Sequence, residues 1–471
     1  MRKTKIVCTL GPASTDYETI KEMALAGMNV VRINMSHGTY EEHAVRINNV
    51  KRVREELNIP IALLLDTKGP ELRICCFKDG CVKLREGQEF ILTTSDVLGD
   101  ERQVSVSYKG LIDDVEAGDS VYLNNALIEL KVKEKRSGCD IVCEVVGGGP
   151  LSDKKSLNVP GKQIKLPYLS EADKRDLLFA IEHDFDFIAA SFVCSAKNIA
   201  EIRDFLEQNS SRTDIIAKIE NAQGVKNAKE IIEASDGIMI ARGDLGVEIP
   251  FEEIPFIQKA LIKEARQLGK RVITATEMLE SMAEKPRPTR AETSDVGNAV
   301  YDETSAVMLS VETAAGKYPV EAIKAMSSIC SATEKHINYS KRFKQRDVRI
   351  KNVADAISHS TCNTAIDLDA RAIAVFTRSG MTARMVSRFR PPNPIIGITD
   401  NIKAYYQLAL SWGIQPVLTT VHSSTDELFK TAVKVCKERK IASKGDIIVI
   451  AAGVPVGKSG LTNLIKVEEI K

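Results

Sequence analysis

The sequence predicts an α/β protein with three parts: a (β/α)8 barrel, a small all-β domain inserted into it, and a C-terminal α/β domain with an open, mostly parallel sheet. Three observations carry that prediction. Short apolar runs alternate with helical patterns over most of residues 1–340. Residues 70–165 break the rhythm with strand-rich, turn-rich sequence. Beyond a charged connector at 341–351 the alternation resumes. A chain of 471 residues has room for about three domains at roughly 150 residues each.

The apolar runs are TKIVCTL (4–10), NVVRIN (29–34), IALLLDT (61–67), DFIAASF (186–192), DIIAKIEN (214–221), GIMIARGDLG (237–246), RVITATEML (271–279) and SAVMLSVET (305–313). Runs apolar on both faces, each followed by a helical pattern, indicate a parallel sheet. About eight such units indicate a closed barrel, whose active site lies at the C-terminal ends of its strands. The polar residues out of place in these runs cluster at those ends: Arg32 and Asn34, Asp66 and Thr67, Lys218 and Glu220, Asp244, Thr276. In IIAKIEN, Lys218 and Glu220 stand two apart, so a strand points both the same way. Buried charges of this kind are costly unless paired or bound to an ion.

The segments CVKLREGQEFILTT, DSVYLNNALIELKVKEK and CDIVCEVVGGG carry Gly and Asp turns and no convincing helix. They predict an all-β domain over 70–165, inserted after the third barrel strand and placed to act as a lid. The barrel then comprises 1–69 and 166–340. The C-terminal domain comprises 341–471, with RAIAVFTRSG, NPIIGITD, IQPVLTT and GDIIVIAAG as its strands.

Lys plus Arg (65) nearly cancel Asp plus Glu (64), which argues against nucleic acid or an anionic membrane as main partner. No apolar run reaches the roughly eighteen residues of a membrane span. The start MRKTKIVCTLGPAST does not read as a signal peptide, so a cytoplasmic location is expected. Ten cysteines without scaffold spacing read as reduced thiols. Cys75, Cys76, Cys81, Cys139 and Cys143 match no usual zinc pattern. The six histidines form no triad or metal spacing and receive no general-base role.

AAGVPVGKSGLTN (451–463) lacks the first glycine of a nucleotide-binding P-loop, since Ala452 stands at that position. It remains either a phosphate cradle or a surface loop. In ARGDLG (241–246), Gly243 permits close backbone approach, N–H groups at a following helix start suit an anion, and Asp244 suits a hard cation. Glu220 and Asp244, two carboxylates with few other ligands, suit magnesium. VVRINMSHG and LLLDTKGPELR add Arg32 and Arg73 for phosphate, and Asn34, Ser36, Asp66 and Thr67 as an all-oxygen set for a monovalent cation. Singly, such Asn, Ser and Thr residues are turn or cap residues.

Together KTKIVCTLGP, VVRINMSHG, LLLDTKGPELR, AKIEN, DGIMIARGDLGVEIP, ITATEMLESM and TRAETSDVGNAVYDETSAVMLSVETAAGKYP resemble pyruvate kinase, along essentially the whole chain. The likeness is to a compact bacterial form without an extra C-terminal domain. It implies transfer of a phosphoryl group from phosphoenolpyruvate to ADP, giving ATP and pyruvate, with Mg2+ (or Mn2+) and K+ as cofactors. Arg32 and Lys218 would bind the phosphoryl group, Gly243 and Asp244 the substrate carboxylate, and Thr276 would help deliver a proton. Glu220 and Asp244 would hold the divalent ion, and Asn34, Ser36, Asp66 and Thr67 the potassium. Asn34, Met35, Ser36, His37, Arg73 and Lys155 would touch the nucleotide. Thr377, Arg378, Ser379, Gly380, Thr382 and Lys458 would bind a sugar-phosphate or nucleotide effector, in a cytoplasmic homotetramer. Val311 replaces the glycine usual in LSGETA and is expected to strain its loop if that position needs a positive φ. Two rivals are a phosphoenolpyruvate lyase or aldolase on the same barrel, and a catalytically dead sensor. Retention of Arg32, Lys218, Glu220 and Asp244 argues against the sensor.

Overall fold

The computed structural model describes residues 2–162, 164–346, 350–456 and 462–471. Eight parallel strands close a barrel: Lys5–Thr9, Val30–Asn34, Ala62–Asp66, Phe187–Ala190, Asp214–Ile219, Gly237–Ala241, Arg271–Ala275 and Ala306–Leu309, each beside its sequence neighbour. These are the eight runs singled out in the sequence, trimmed at their ends. The sixth run stops being strand at Ala241, and Asp244 lies in the helix Arg242–Glu248.

Period-two alternation sorts the strand residues into two cores. Ile6, Val31, Ile33, Leu63, Leu65, Ile215, Ala217 and Ile219 face outward under the helices. Val7, Val30, Leu64, Phe187, Ile216, Met239, Ile273 and Met308 fill the barrel. Ala409 and Leu410, from the C-terminal part of the chain, join that inner core and plug the barrel floor. Two residues above the inner layer, towards the strands' C-terminal ends, the side chains turn polar: Val30 gives way to Arg32, Leu64 to Asp66, Ala189 to Ser191 and Ile216 to Lys218.

The chain leaves the barrel after the third strand and returns before helix Glu171–Glu182. Between them lie a six-stranded and a two-stranded sheet around a core of their own, with Phe90, Leu92, Leu123, Leu130 and Ile141 at its centre. One short helix, Leu111–Asp114, breaks the expectation of an all-β segment; four residues are too few for a helical period to register in the sequence. Both crossings rest on one barrel residue. Gly69 has φ +67°, and a Cβ there would come within 2.9 Å of the Ser191 Cβ. On the return, Tyr168 Oη donates to Ser191 O at 2.9 Å.

Beyond helix Val353–Asp367, strands Ile414–Leu418, Ile395–Thr399, Ala372–Phe376 and Ile447–Ala452 form a parallel sheet in that order. Leu464–Glu469 closes it as an antiparallel edge. Among the described residues no helix is long and apolar enough to cross a membrane.

Candidate active site

The polar layer at the top of the barrel is one connected set. Asp66 sits between two cations: Arg32 Nε at 2.6 Å from Oδ2, and Lys218 Nζ at 3.1 Å from Oδ1. Lys218 Nζ also lies 2.8 Å from Glu220 Oε1 and donates to Ser191 Oγ at 2.8 Å. Ser191 Oγ in turn donates to Asp66 and to Thr67 O. Asp66 and Glu220 are each 1% exposed and Lys218 8%. At that depth the charges stay ionised only because they compensate one another.

Burial alone would lower the Lys218 pKa, but the Asp66 and Glu220 carboxylates outweigh it and hold the ammonium above its ordinary value. Burial likewise works against the Asp66 anion, and Arg32 with Lys218 reverses it, so Asp66 titrates below the usual carboxylate range. Glu220 goes the other way: burial pushes it up, Lys218 only partly offsets this, and Asp244 adds repulsion. Asp66 is therefore the principal counter-charge of Lys218.

Glu220 Oε2 accepts the Phe192 N–H at 2.7 Å, whereas Oε1, despite its nearness to Lys218, has no aligned hydrogen bond and is buried. Asp244 is exposed, and its charge acts on both Lys218 and Glu220. Two cations, Arg32 and Lys218, face three carboxylates, Asp66, Glu220 and Asp244. A hard divalent cation fits this surplus and the unsatisfied Glu220 oxygen. Among the described residues no group of three or more His, Cys, Asp or Glu is arranged to hold a metal, so substrate and water oxygens would supply the remaining ligands.

Thr276 follows the seventh strand with φ +65°, strained for a β-branched residue. Arg242 holds it there. Its guanidinium donates to Thr276 O at 2.6 and 3.2 Å and to Asp295 Oδ2 at 2.6 Å. Thr276 Oγ1 accepts the Gly243 N–H at 2.9 Å and donates to Ala275 O at 2.6 Å. The hydroxyl proton is thus committed to backbone, and a proton-delivery role requires it to rotate.

A family model described as pyruvate kinase, barrel domain, matches residues 1–323, and one described as pyruvate kinase, alpha/beta domain, matches 355–468. The chain belongs to the pyruvate kinase family. It is 49% identical to a pyruvate kinase of Geobacillus stearothermophilus, over 100% of this chain and 80% of that protein. To those of Bacillus licheniformis and Staphylococcus aureus it is 48% and 46% identical, over 99% of this chain and 80% of each relative.

Set in this pyruvate kinase barrel, the other predicted residues fall into three groups. Asn34, Ser36, Asp66 and Thr67 lie together at adjoining strand ends, Asn34 paired in register with Asp66. Asn34 Oδ1 accepts the Ser36 N–H, and both Asp66 oxygens already serve Arg32 and Lys218. Of the nucleotide set, His37 is exposed, but Met35 is buried in the outer core, so only its backbone is presented. Arg73 is clamped by Glu71 Oε2 at 2.7 and 3.1 Å and by Lys154 O, and the Lys155 carbonyl accepts the N–H of Ile74, the residue after Arg73. In the third group, Thr377–Thr382 follow strand Ala372–Phe376, with Gly380 at φ +79° opening the next helix. Thr382 is buried and shares a 2.8 Å hydrogen bond with Thr462, which ties this loop to the one after Ile447–Ala452. Lys458 lies outside the described residues.

Val311 does not carry the expected strain. It is absent from the positive-φ residues, is 41% exposed and opens the short helix Val311–Ala314. Sequence reasoning also missed three residues. Ser191 and Ser310 stand two residues above the inner-core residues Ala189 and Met308, and Ser310 Oγ is buried without a partner. Extending the period-two face upward would have found both. Arg242 carried no signal beyond its place in ARGDLG.

Proposed function

We propose that this chain transfers the phosphoryl group of phosphoenolpyruvate to ADP, giving pyruvate and ATP. The observation that carries the proposal is the buried Lys218 ammonium, fixed by Asp66, Glu220 and Ser191 at the catalytic face of the barrel. Phosphoryl transfer is mostly positioning and electrostatics, so a preorganised ammonium aimed at the moving group lowers its barrier. Lys218 neutralises charge on the transferred oxygens, and Arg32, oriented by Asp66, grips the phosphate end of the substrate. Glu220 and Asp244 would hold the divalent cation, Mg2+ or Mn2+, which when bound supplies positive charge at the substrate oxygens. Asn34, Ser36, Asp66 and Thr67 would hold K+. The inserted segment, pivoting at Gly69 and Tyr168, excludes water as it brings Arg73 and Lys155 together towards the nucleotide. After transfer, the enolate takes its proton at the methylene carbon by way of Thr276 and water.

The test is a lactate-dehydrogenase-coupled assay with and without ADP. Pyruvate formation that requires ADP supports the proposal, and ADP-independent formation supports a lyase instead. The same assay with sugar phosphates and nucleotides tests the Thr377–Thr382 loop as an effector site, and sedimentation tests the homotetramer. A cytoplasmic location accords with the reduced-thiol composition.

A further inference from the structure

At the barrel floor, the opposite end from Lys218, a cavity of about 440 Å3 opens between barrel helices and the C-terminal part of the chain. Five of its lining side chains are cationic: Lys229, Arg266, Arg346, Lys351 and Arg388. Only Glu233 and Glu264 oppose them from its walls. Three of the cations are deeply set, the side chains of Arg266 and Arg346 being 12% exposed and that of Arg388 10%.

Arg388 has a buried carboxylate of its own, Asp355 at 3.0 Å, but the other arginines converge on a single one. Glu303, itself held at φ +73°, receives Arg266 at 3.1 Å, Arg346 at 2.5 Å and Arg342 at 3.9 Å. Arg390, buried behind them and stacked on Trp412, donates to the Glu303 backbone oxygen, Ser305 and Ser387 and to no carboxylate among the described residues. Arg390 Nε is buried without a hydrogen-bond partner, and Arg266 Nε, 3.1 Å from Glu303 Oε2, is not aligned for a hydrogen bond to it. Burial, and then repulsion among these arginines despite Glu303, brings Arg346 down to about 10 and Arg390 to about 9. Guanidinium groups confined this way are ordinarily matched by oxyanions.

We infer that this cavity is a binding site for a phosphate-bearing small molecule, separate from both the barrel-top site and the Thr377–Thr382 loop. The volume accommodates a phosphate ester with a compact organic body. Its walls come from three places: Arg266 ends barrel helix Ile254–Gln267, Arg346 follows connector helix Tyr339–Gln345, and Arg388 follows helix Met381–Ser387 of the C-terminal sheet layer. A bound phosphate bridges all three and so biases how the C-terminal sheet sits against the barrel floor, where Ala409 and Leu410 form the plug.

Inorganic phosphate and pyrophosphate serve as probes, by calorimetric titration of the intact protein at constant ionic strength. Two variants alter only the exposed rim: Lys229→Ala with Lys351→Ala, and Gln267→Glu. Each is expected to weaken one class of pyrophosphate binding by about tenfold or more, while kcat at saturating substrates stays at the parent value. Gln267→Lys is expected to strengthen that class. Isotherms of all three variants superimposing on the parent would show that any anion binding resides elsewhere, and the inference would fail. So would a parent that binds neither probe.

Discussion

Ser191 Oγ lies 2.8 Å from Lys218 Nζ and is the neutral partner of that ammonium, beside the Asp66 and Glu220 carboxylates. Because the same residue meets both crossings to the inserted segment, it joins Lys218 to them. A hydrogen bond to a charged group contributes about 1.5–3 kcal/mol. Ser191→Ala should lower kcat by roughly tenfold to a hundredfold, with thermal unfolding little changed and Ser191→Thr restoring part of the rate. A parent-like kcat in Ser191→Ala would remove the residue from the mechanism.

Lys218→Met should abolish most phosphoryl transfer, by about 10² to 10³ in kcat or more, since one preorganised charge is lost. Exchange of the pyruvate methyl protons with solvent should survive, because it needs the metal ligands and not the transfer charge. Proton NMR of pyruvate in D2O separates the two steps. Near-normal ATP formation by the variant would exclude this role for Lys218.

Asp186 is 1% exposed at the barrel floor, accepting the Leu63 N–H at 2.8 Å with Lys403 3.9 Å away. Burial raises its pKa to about 6 from 3.8, partly offset by Lys403 and the Leu63 N–H. A folded-state pKa above the unfolded one adds stability that is full below pH 3.8 and lost as pH rises through about 6. The span corresponds to about 3 kcal/mol at most. Asp186→Asn should therefore gain stability relative to the parent between pH 5 and 7.5 in urea titrations. An offset that is the same at both pH values would contradict this.

Potassium should activate strongly, and sodium or lithium weakly. Glu71 accepts the Arg73 guanidinium. Glu71→Lys supplies a positive charge near the phosphates and frees Arg73, so it should weaken the potassium requirement. Assays in potassium-free buffer decide it: full activity of the parent there would refute the requirement.

The proposal that the Thr377–Thr382 loop binds an effector is best tested at Ser379, which is exposed. Thr382 is buried and bonded to Thr462, so its removal also unties the two loops. Ser379→Ala should abolish any shift of the substrate curve by sugar phosphates or AMP while leaving saturated kcat unchanged. A response equal to the parent's would place the effector elsewhere.

The barrel was legible because its strands are apolar on both faces, and the site because charges interrupt them at one end. Lys218 and Glu220 stood out since nothing apolar explains a charge there. Ser191 did not, because a lone serine reads equally well as a cap or turn residue. Arg242 lies in a short helix whose partner, the Thr276 carbonyl, is fixed only by tertiary geometry. The cationic cavity at the floor was illegible for the same reason: its arginines come from three separate stretches of sequence, each ordinary alone.

The insertion also sets the order in which this protein can be built. Barrel neighbours Asp66 and Ala189 are roughly 120 residues apart in the chain. At about 5–20 residues per second, the ribosome takes about 6–24 s to deliver the fourth strand after the third. Throughout that interval Ala62–Asp66, fully buried in the finished barrel, presents an apolar edge with no partner. The inserted sheets are complete before the fourth strand emerges. Their early folding shortens the gap that the barrel must close and limits how long the nascent edge can recruit another chain.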